Sequence, residues 1–474
     1  MPSPTLLSAK ASESMARPNI QHVSSLETYF DEIEVTNGDN ECRVWSEKLL
    51  DAIAELAAFV ASRREGGPAT EYVELLKGSF NMSFRFRFDD EGPDAIIRFP
   101  KPGHTATALR DEKLANEVRI MEYISQNTTI PIPRIHSWGT TAESSQQFGP
   151  FIIMDFVEGM LLSEVLKRPT ESDQEDFILN PDVDKTMLEK VYRQIAGYIL
   201  QLSQLHFSHI GSISKEPTSN EWVVTGRPVT YNMNELVSVS GCPSDNFPTT
   251  SFNSAADYLK SVSVLHLDHV WAQHNIADNA EIAEKRYIAR RRMPQLIDKY
   301  CIENTGPFLL FCDDLRPSNI LINPDTLEIT ALIDLEYTNA MPAQFTYDPP
   351  WWLLLSGPEF WLDRGCLEEF NSLYELRMEQ FLQALEEVES TSCTGKQLEP
   401  PLSARMRDSW ANGRFWFNYA MRKSFELDSI YWAVLHEKDT EHGQEEYPEM
   451  EKFIATKMEQ LEKYRKECAA RSST

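Results

Sequence analysis

The segment from residue 311 to residue 336 restricts the possible folds more than any other part of the chain. Residues 311–323 read FCDDLRPSNILIN, and residues 331–336 read ALIDLE after a turn at residues 324–325. Two apolar strands around tight turns predict a hairpin that brings Asp314, Asn319 and Asp334 into one pocket. Phosphoryl transfer needs such a set, because a carboxylate must orient the acceptor hydroxyl while oxygen ligands hold Mg²⁺ on the nucleotide phosphates.

A simpler interpretation of this segment is a polar turn between two core strands. Asp, Asn, Pro and Ser are the usual turn residues, so Asp313, Asp314 and Asn319 could have no chemical role. The two interpretations differ in what they expect of the rest of the chain. Only a phosphotransferase needs a nucleotide-binding lobe before residue 311.

Composition excludes several classes of protein. With 474 residues, the chain is long enough for two or three domains or for one bilobal enzyme with insertions. A formal net charge of −28 disfavours nucleic acid and anionic membranes as partners. Seven scattered cysteines without a C-x-x-C pair indicate a reducing compartment and argue against structural zinc. We therefore expect a cytoplasmic protein that spans no membrane.

Hydrophobic periodicity predicts three regions. Residues 1–42 are expected to be a disordered tail, with a weak transit segment in residues 1–20 as the alternative. Residues 43–157 begin with a helix and continue as a small sheet with one helix, since residues 82–88 alternate strictly between apolar and polar. Residues 158–474 have long amphipathic patterns and are expected to form a larger, mainly helical region. No pattern predicts an oligomeric state.

With these motifs in collinear order, the chain resembles the aminoglycoside phosphotransferase and choline kinase superfamily, especially its fungal-type members. The family pattern His-x-Asp-x-x-x-x-Asn, followed by a strand with Ile-Asp, implies that Asp314 is catalytic and that Asn319 and Asp334 bind metal. It also implies a bilobal α+β protein-kinase-like fold with ATP and Mg²⁺ as cofactors. Cys312 stands where the family has histidine, which mainly supports the catalytic loop.

The resemblance also assigns a nucleotide-covering loop, composed of Gly78, Ser79, Phe80 and Asn81. Main-chain N–H groups of such a loop can approach phosphates closely. A single glycine makes neither a Walker loop nor a dinucleotide fingerprint, and a lone Gly-Ser pair is more often an ordinary turn. The assignment therefore depends on the strands on either side.

Two charged residues match the cation and acid that grip the phosphates in kinases. Arg98 lies at the strand position of the usual lysine, and Glu117 falls where a helix glutamate pairs with it. Arginine keeps a permanent cation but differs in shape from an ammonium group. An ordinary surface ion pair is the alternative interpretation.

The segment of Met154, Asp155 and Phe156 resembles the inter-lobe hinge, where backbone groups would meet the adenine. Composition alone would describe it as a buried strand followed by a turn. The aromatic residues of the later segment 347–352 are interpreted as core anchors.

The sequence thus predicts a kinase that phosphorylates a hydroxyl group of a small molecule. A pseudokinase, which binds nucleotide with little or no turnover, is the alternative that Cys312 and Arg98 favour. A cysteine hydrolase is a third hypothesis, but nothing in the sequence places His206 or His209 beside Cys312.

Overall fold

Strict alternation of aromatic and polar residues in residues 82–88 produces the central strand of a small antiparallel sheet. The computed structural model describes residues 26, 29–65, 67–169, 177–391, 399–439 and 447–472. The first lobe (the N-lobe) contains α1 Glu32–Asp51, α2 Ile53–Arg63, β1 Ala69–Lys77, β2 Asn81–Phe88, β3 Ala95–Pro100, α3 Arg110–Asn127, β4 Ile135–Gly139 and β5 Phe151–Asp155. The strand order is β1-β2-β3-β5-β4, and every pair is antiparallel.

One face of this sheet is covered by the two leading helices. Trp45 and Leu49 of α1 and Leu56 of α2 pack against Phe84 and Phe86 of β2, and all five side chains are buried. Each buried aromatic side chain removes a large apolar area from water, which is the main source of stability here. The helices therefore belong to the N-lobe core.

Helix α1 corrects the predicted extent of the tail. Its first turn is capped by Asp31, whose side chain accepts hydrogen bonds from the N–H groups of Ile33 and Glu34. The helix begins at Glu32, so residues 32–42 of the predicted disordered tail are helical. Residues 1–25, which include the alternative transit segment, lie outside the described residues.

The amino-terminal end of α1 is also attached to the second lobe (the C-lobe). The Asp31 N–H group donates to the Val239 carbonyl at 2.9 Å, and the Glu32 N–H group donates to the Tyr464 hydroxyl at 2.8 Å. Since Trp45 and Leu49 lie in the N-lobe core, this one helix connects the two lobes.

The C-lobe is mainly helical, as its amphipathic patterns predict. Its elements are β6 Met160–Leu161, α4 Leu162–Leu166, α5 Lys185–Leu202, β7 His206–Phe207, β8 Ser212–Lys215, β9 Trp222–Gly226, α6 Tyr231–Ser238, α7 Ala255–Ala272, α8 Ala280–Arg292, α9 Ile297–Tyr300, β10 Phe308–Cys312, β11 Ile320–Ile322, β12 Ile329–Leu332, β13 Thr338–Met341, α10 Ala343–Thr346, α11 Pro358–Leu362, α12 Leu367–Thr391, α13 Leu402–Asn412, α14 Arg414–Arg422, α15 Leu427–Ile430 and α16 Met450–Arg471. The fold is thus a bilobal α+β arrangement. No helix in the described part of the chain is long and apolar enough to span a bilayer.

Two small sheets hold the segment that carries the predicted chemistry. Strand β10 lies between β13 and β7, and β11 lies between β12 and β6. Phe308, Leu309, Ile320 and Ile322 of these strands are fully buried. Because both β10 and β11 are anchored in the core, the polar residues between them occupy a fixed position at its edge.

Candidate active site

The hairpin predicted from the sequence brings Asp314 and Asn319 into direct contact. A 3-10 turn at residues 317–319 follows the loop after β10, and the Asn319 amide donates to the Asp314 carboxylate at 2.8 Å and to its carbonyl at 2.9 Å. The Ile333 N–H group donates to the Asn319 carbonyl at 2.9 Å, which places Asp334 next to Asn319 along the chain path. Asp314 and Asn319 are therefore in contact, and the backbone beside Asp334 is bonded to Asn319.

The Asp314 carboxyl group is largely buried but has cations close by. Burial raises its pKa above the usual aspartate range, whereas Arg316, 2.8 Å away, and Lys423 oppose that shift. Its side chain keeps 16% of its surface exposed. A carboxylate that is more basic than usual and partly exposed can orient a hydroxyl group and accept its proton.

Asp334 lies at the point where the two lobes meet. Its backbone has a φ of 62°, a left-handed conformation that is unusual for a non-glycine residue and is common at functional sites. Its carboxylate accepts hydrogen bonds from Arg98 at 3.1 Å and from Asn81 at 3.3 Å. Burial and the neighbouring Glu336 carboxylate raise the pKa of Asp334 well above its ordinary value. A bound cation would relieve this crowding of negative charge.

Arg98 and Glu117 form the ion pair that the sequence predicts, and it is buried. The side chains retain only 7% and 2% exposure, and the guanidinium group also reaches Asp334. The surface-pair interpretation is therefore wrong. Glu117 and Asp334 both help to hold the pKa of Arg98 above its usual value, so this cation is permanently charged.

A second buried ion pair joins Lys113 and Glu336 and was not predicted from the sequence. Both side chains are at most 2% exposed, and the Asn81 amide donates to the same Glu336 carboxylate at 3.2 Å. Lys113 precedes Glu117 by four residues on α3, which places both side chains on one helix face. The spacing of Lys113 and Glu117, together with an acid two residues after Asp334, could have predicted this ion pair.

The residues of the predicted nucleotide-covering loop form a tight turn between β1 and β2. The Gly78 N–H group donates to the Asn81 carbonyl at 3.0 Å. Lys101 supports the turn from outside, because its ammonium group donates to the Gly78 carbonyl at 2.5 Å. His104 contacts the Ser79 carbonyl at 3.0 Å. The loop is thus held in place by a neighbouring segment.

Phe80, at the tip of this loop, reaches the C-lobe. Its ring centroid lies 5.6 Å from that of Tyr231 and 6.3 Å from that of Tyr337, and both contacts are edge-on. These contacts connect the tip of the loop to the C-lobe, in the case of Tyr337 three residues after Asp334.

The predicted hinge residues are placed between the lobes, but two of their donors are already used. Met154 pairs with β3 and β4 inside the sheet. The N–H groups of Asp155 and Phe156 donate to the carbonyls of Arg134 and Asp94 at 3.0 and 2.7 Å. An adenine edge would therefore have to meet other groups of the linker, which continues to β6.

Cys312 ends β10 and pairs with Thr338 of β13. Burial raises the pKa of its thiol to about 12, so the reactive thiolate is disfavoured at neutral pH. His206 lies opposite Leu309 on the adjoining strand, and His209 is hydrogen bonded to Ser208 at 2.9 Å. These features argue against the cysteine hydrolase hypothesis.

No family model matches the chain. The chain is 20% identical over 292 residues to altered inheritance of mitochondria protein 9, mitochondrial, of Debaryomyces hansenii, covering 53% of this chain and 44% of that protein. It is 24% identical over 286 residues to clavilactone A biosynthesis cluster protein Y of Ampulloclitocybe clavipes, covering 58% and 62%. The chain thus matches less than two thirds of each relative's length.

Solved structures similar to the chain include aminoglycoside phosphotransferases and an ethanolamine kinase. They include a thermostable mutant of aminoglycoside phosphotransferase APH(4)-Ia with AMP-PNP and hygromycin B (14% identity, 80% and 99% of the two chains, TM-score 0.41). A Plasmodium vivax ethanolamine kinase is 13% identical, with 82% of this chain and 81% of that chain covered and a TM-score of 0.38. Aminoglycoside phosphotransferase APH(3'')-Id of Streptomyces rimosus, in complex with ADP and streptomycin, is 16% identical. The match covers 81% of this chain and 99% of that chain, with a TM-score of 0.36.

The chain itself contains two lobes of different structure. A five-stranded antiparallel sheet with a pairing helix is followed by a helical lobe that carries the loop with Asp314 and Asn319. The described part of the chain is therefore a bilobal α+β protein.

Proposed function

We propose that this protein is an ATP- and Mg²⁺-dependent kinase that phosphorylates a hydroxyl group of a small molecule. One observation supports the proposal above all others: Asn319 bonds to Asp314 and accepts a hydrogen bond from the residue before Asp334, whose carboxylate Arg98 reaches from the N-lobe. Phosphoryl transfer depends mainly on positioning and charge stabilisation, and this arrangement supplies groups for both.

Asn319 and Asp334 would hold the metal ion. The Asn319 amide nitrogen is committed to Asp314, so its oxygen is the end that can face a cation. The pKa of Asp334 is raised by neighbouring acids, which a cation would offset. Two oxygen ligands suit Mg²⁺, which usually takes one or two protein carboxylates and completes its shell with phosphates and water. When bound, the ion would neutralise charge on the phosphates.

The remaining roles belong to side chains of this chain. Arg98 would contact phosphate oxygens, while Glu117 fixes its direction. Asp314 would orient the acceptor hydroxyl and take its proton, because burial raises its basicity while part of its side chain stays exposed. The Phe80 contacts would exclude water from the transfer.

The surroundings of Asp314 favour an acceptor that carries an amine. Burial and the negative charges of Glu235 and Asp314 raise the pKa of Tyr231, whose side chain is hydrogen bonded to Glu235. Burial raises the pKa of Glu235 to about 7, and burial together with Glu359 raises that of Glu426 well above normal. Lys423 offsets part of this negative charge, and a cationic acceptor would offset more of it. We therefore infer a hydroxylated amine as the substrate class.

A phosphorylation screen tests the proposal. Purified protein, Mg²⁺ and γ-labelled ATP are incubated with hydroxylated amines and with matched neutral polyols. Label transfer to an amine is the expected result. Asp314→Asn should lower turnover by about 10²- to 10⁴-fold, and nucleotide affinity should persist. Asp325→Asn, in an exposed turn, serves as the matched control.

A pseudokinase remains the second candidate, favoured by the direct contact between Arg98 and Asp334. In that contact, the Arg98 cation offsets the negative charge of Asp334, as a metal ion would. Nucleotide binding without label transfer to any acceptor, and without ATP hydrolysis, would support this candidate and contradict the first.

A further inference from the structure

A buried ion pair connects the catalytic loop to the far end of the chain. The Arg422 guanidinium group pairs with the carboxylate of Asp313, the residue directly before Asp314. The two side chains are only 4% and 9% exposed. Water cannot take the place of either partner in so buried a pair. The pair therefore fixes the positions of both side chains.

The same guanidinium group packs over aromatic rings behind the loop. It lies 4.9 Å from the ring centroid of Phe311 and 5.5 Å from that of Phe345. Arg422 therefore contacts the residues on both sides of Cys312, namely Phe311 and Asp313. These two contacts fix the path of the chain just where it enters the catalytic loop.

Cys312 supports the loop through hydrogen bonds of its thiol with Thr338 and with the backbone of Asp314. A cavity of about 60 Å³ is lined by Cys312, Asp348 and Arg422 among others. Arg422 therefore lies beside Cys312 and adds an ion pair, through Asp313, to the support of the loop.

Arg422 is itself held firmly by its helix. It is the last residue of α14, where a cation is favoured by the helix dipole. The Ser424 N–H group donates to the Asn232 side chain at 2.9 Å, which ties the end of α14 to α6. The Asp313 carbonyl also accepts a hydrogen bond from the Trp351 indole at 3.3 Å. The loop is thus positioned from the C-terminal helices.

We infer that Arg422 is a positioning residue of the catalytic loop, whose ion pair with Asp313 adds to the hydrogen bonds of the Cys312 thiol. The contact with Asp313 turns that carboxylate toward the core, so that the next residue, Asp314, faces Asn319. The inference rests on the proposed phosphotransferase function, for which Asp314 is the acting group.

Kinetics of three variants test this inference. Arg422→Gln is expected to lower kcat by about 100-fold, since a misplacement of about 1 Å can cost that much. The KM for ATP should stay unchanged, because Arg98 and Asn81 lie elsewhere. Arg422→Lys should be intermediate, and added methylguanidine should restore part of the kcat of Arg422→Gln. The matched control is Arg414→Gln, a buried arginine of the same helix that pairs with Asp408.

Equal losses of kcat in Arg422→Gln and Arg414→Gln would overturn the inference. So would a raised KM at unchanged kcat. If the wild-type protein transfers no phosphate, the proposed function fails, and hydrogen exchange then decides on Arg422 alone. Amides of residues 313–319 should exchange faster in Arg422→Gln than in Arg414→Gln, and equal rates would refute positioning. Should Arg422→Gln not fold, Arg422→Lys is measured in the same way.

Discussion

The guanidinium group of Arg98 lies 3.1 Å from the carboxylate of Asp334, so a side chain of the N-lobe sheet contacts an acid of the C-lobe directly. The same group pairs with Glu117 of α3. The Arg98 cation therefore connects three elements: strand β3, helix α3 and the segment after β12. Any change in the separation of the lobes must alter this contact.

Replacing Arg98 should affect both stability and nucleotide binding. Arg98→Met leaves the buried Glu117 carboxylate without its partner, which should lower the free energy of unfolding by about 3–5 kcal/mol. The Kd for AMP-PNP should also rise. Urea denaturation and calorimetric titration measure the two effects. Arg87→Met, on the neighbouring strand and 49% exposed, should change stability by less than about 1 kcal/mol. Similar losses in both variants would contradict a special role for Arg98.

The aromatic contact between the lobes should strengthen nucleotide binding. Phe80→Ala removes two ring contacts, each worth about 0.5–1.5 kcal/mol, so the Kd for AMP-PNP should increase roughly tenfold. Tyr72→Ala is the control, because Tyr72 packs on Phe84 and Phe86 on the outer part of the sheet. An unchanged Kd in Phe80→Ala would show that the loop tip does not close over the nucleotide.

The thiol of Cys312 should be chemically inert. Because burial holds its pKa at about 12, a maleimide reagent should not label it in the native protein. Cys312→Ala should retain phosphotransfer within about tenfold of the wild type, a loss of packing rather than of chemistry. Peptide mass spectrometry after labelling, and steady-state kinetics, provide the readouts. Complete loss of activity in Cys312→Ala would instead return the cysteine to the mechanism.

Asp348 should make stability depend on pH. Burial raises its pKa to about 7, although Asn418 and Ser409 donate hydrogen bonds to it. The folded protein therefore keeps a proton that the unfolded chain releases near pH 4, and this contribution to stability falls as the pH rises to 7. Relative to the wild type, Asp348→Asn should gain about 4 kcal/mol between pH 4 and pH 7. Denaturant titrations at several pH values test this, and a pH-independent difference would contradict it.

Much of the fold could be predicted because local patterns and tertiary packing agree. The alternation in residues 82–88 and the hairpin around Asn319 are examples, since the same residues that favour the strands also fill the core. The start of α1 could not be predicted. Its sequence includes Thr36, Asn37 and Gly38, which favour turns, and the helix persists because Gly38 packs closely on Gly103.

The site could be predicted only where its residues share one motif. Asp314 and Asn319 are five residues apart, and hairpin geometry brings them together. Arg422 lies more than a hundred residues from Asp313, and no local pattern records that contact. The hinge shows another limit, because the sequence could not reveal that the Asp155 and Phe156 N–H groups already have protein partners.

Helix α1 gives the cleft a second mechanical constraint besides the linker after β5. Its first residues are bonded to Val239 and Tyr464, and its later turns are embedded beneath the sheet. Because the helix is fixed at both ends, separating the lobes about the linker alone would have to bend α1 or break its hydrogen bonds to Val239 and Tyr464. Any opening of the cleft therefore costs contacts at the far end of α1 as well as the contact between Arg98 and Asp334.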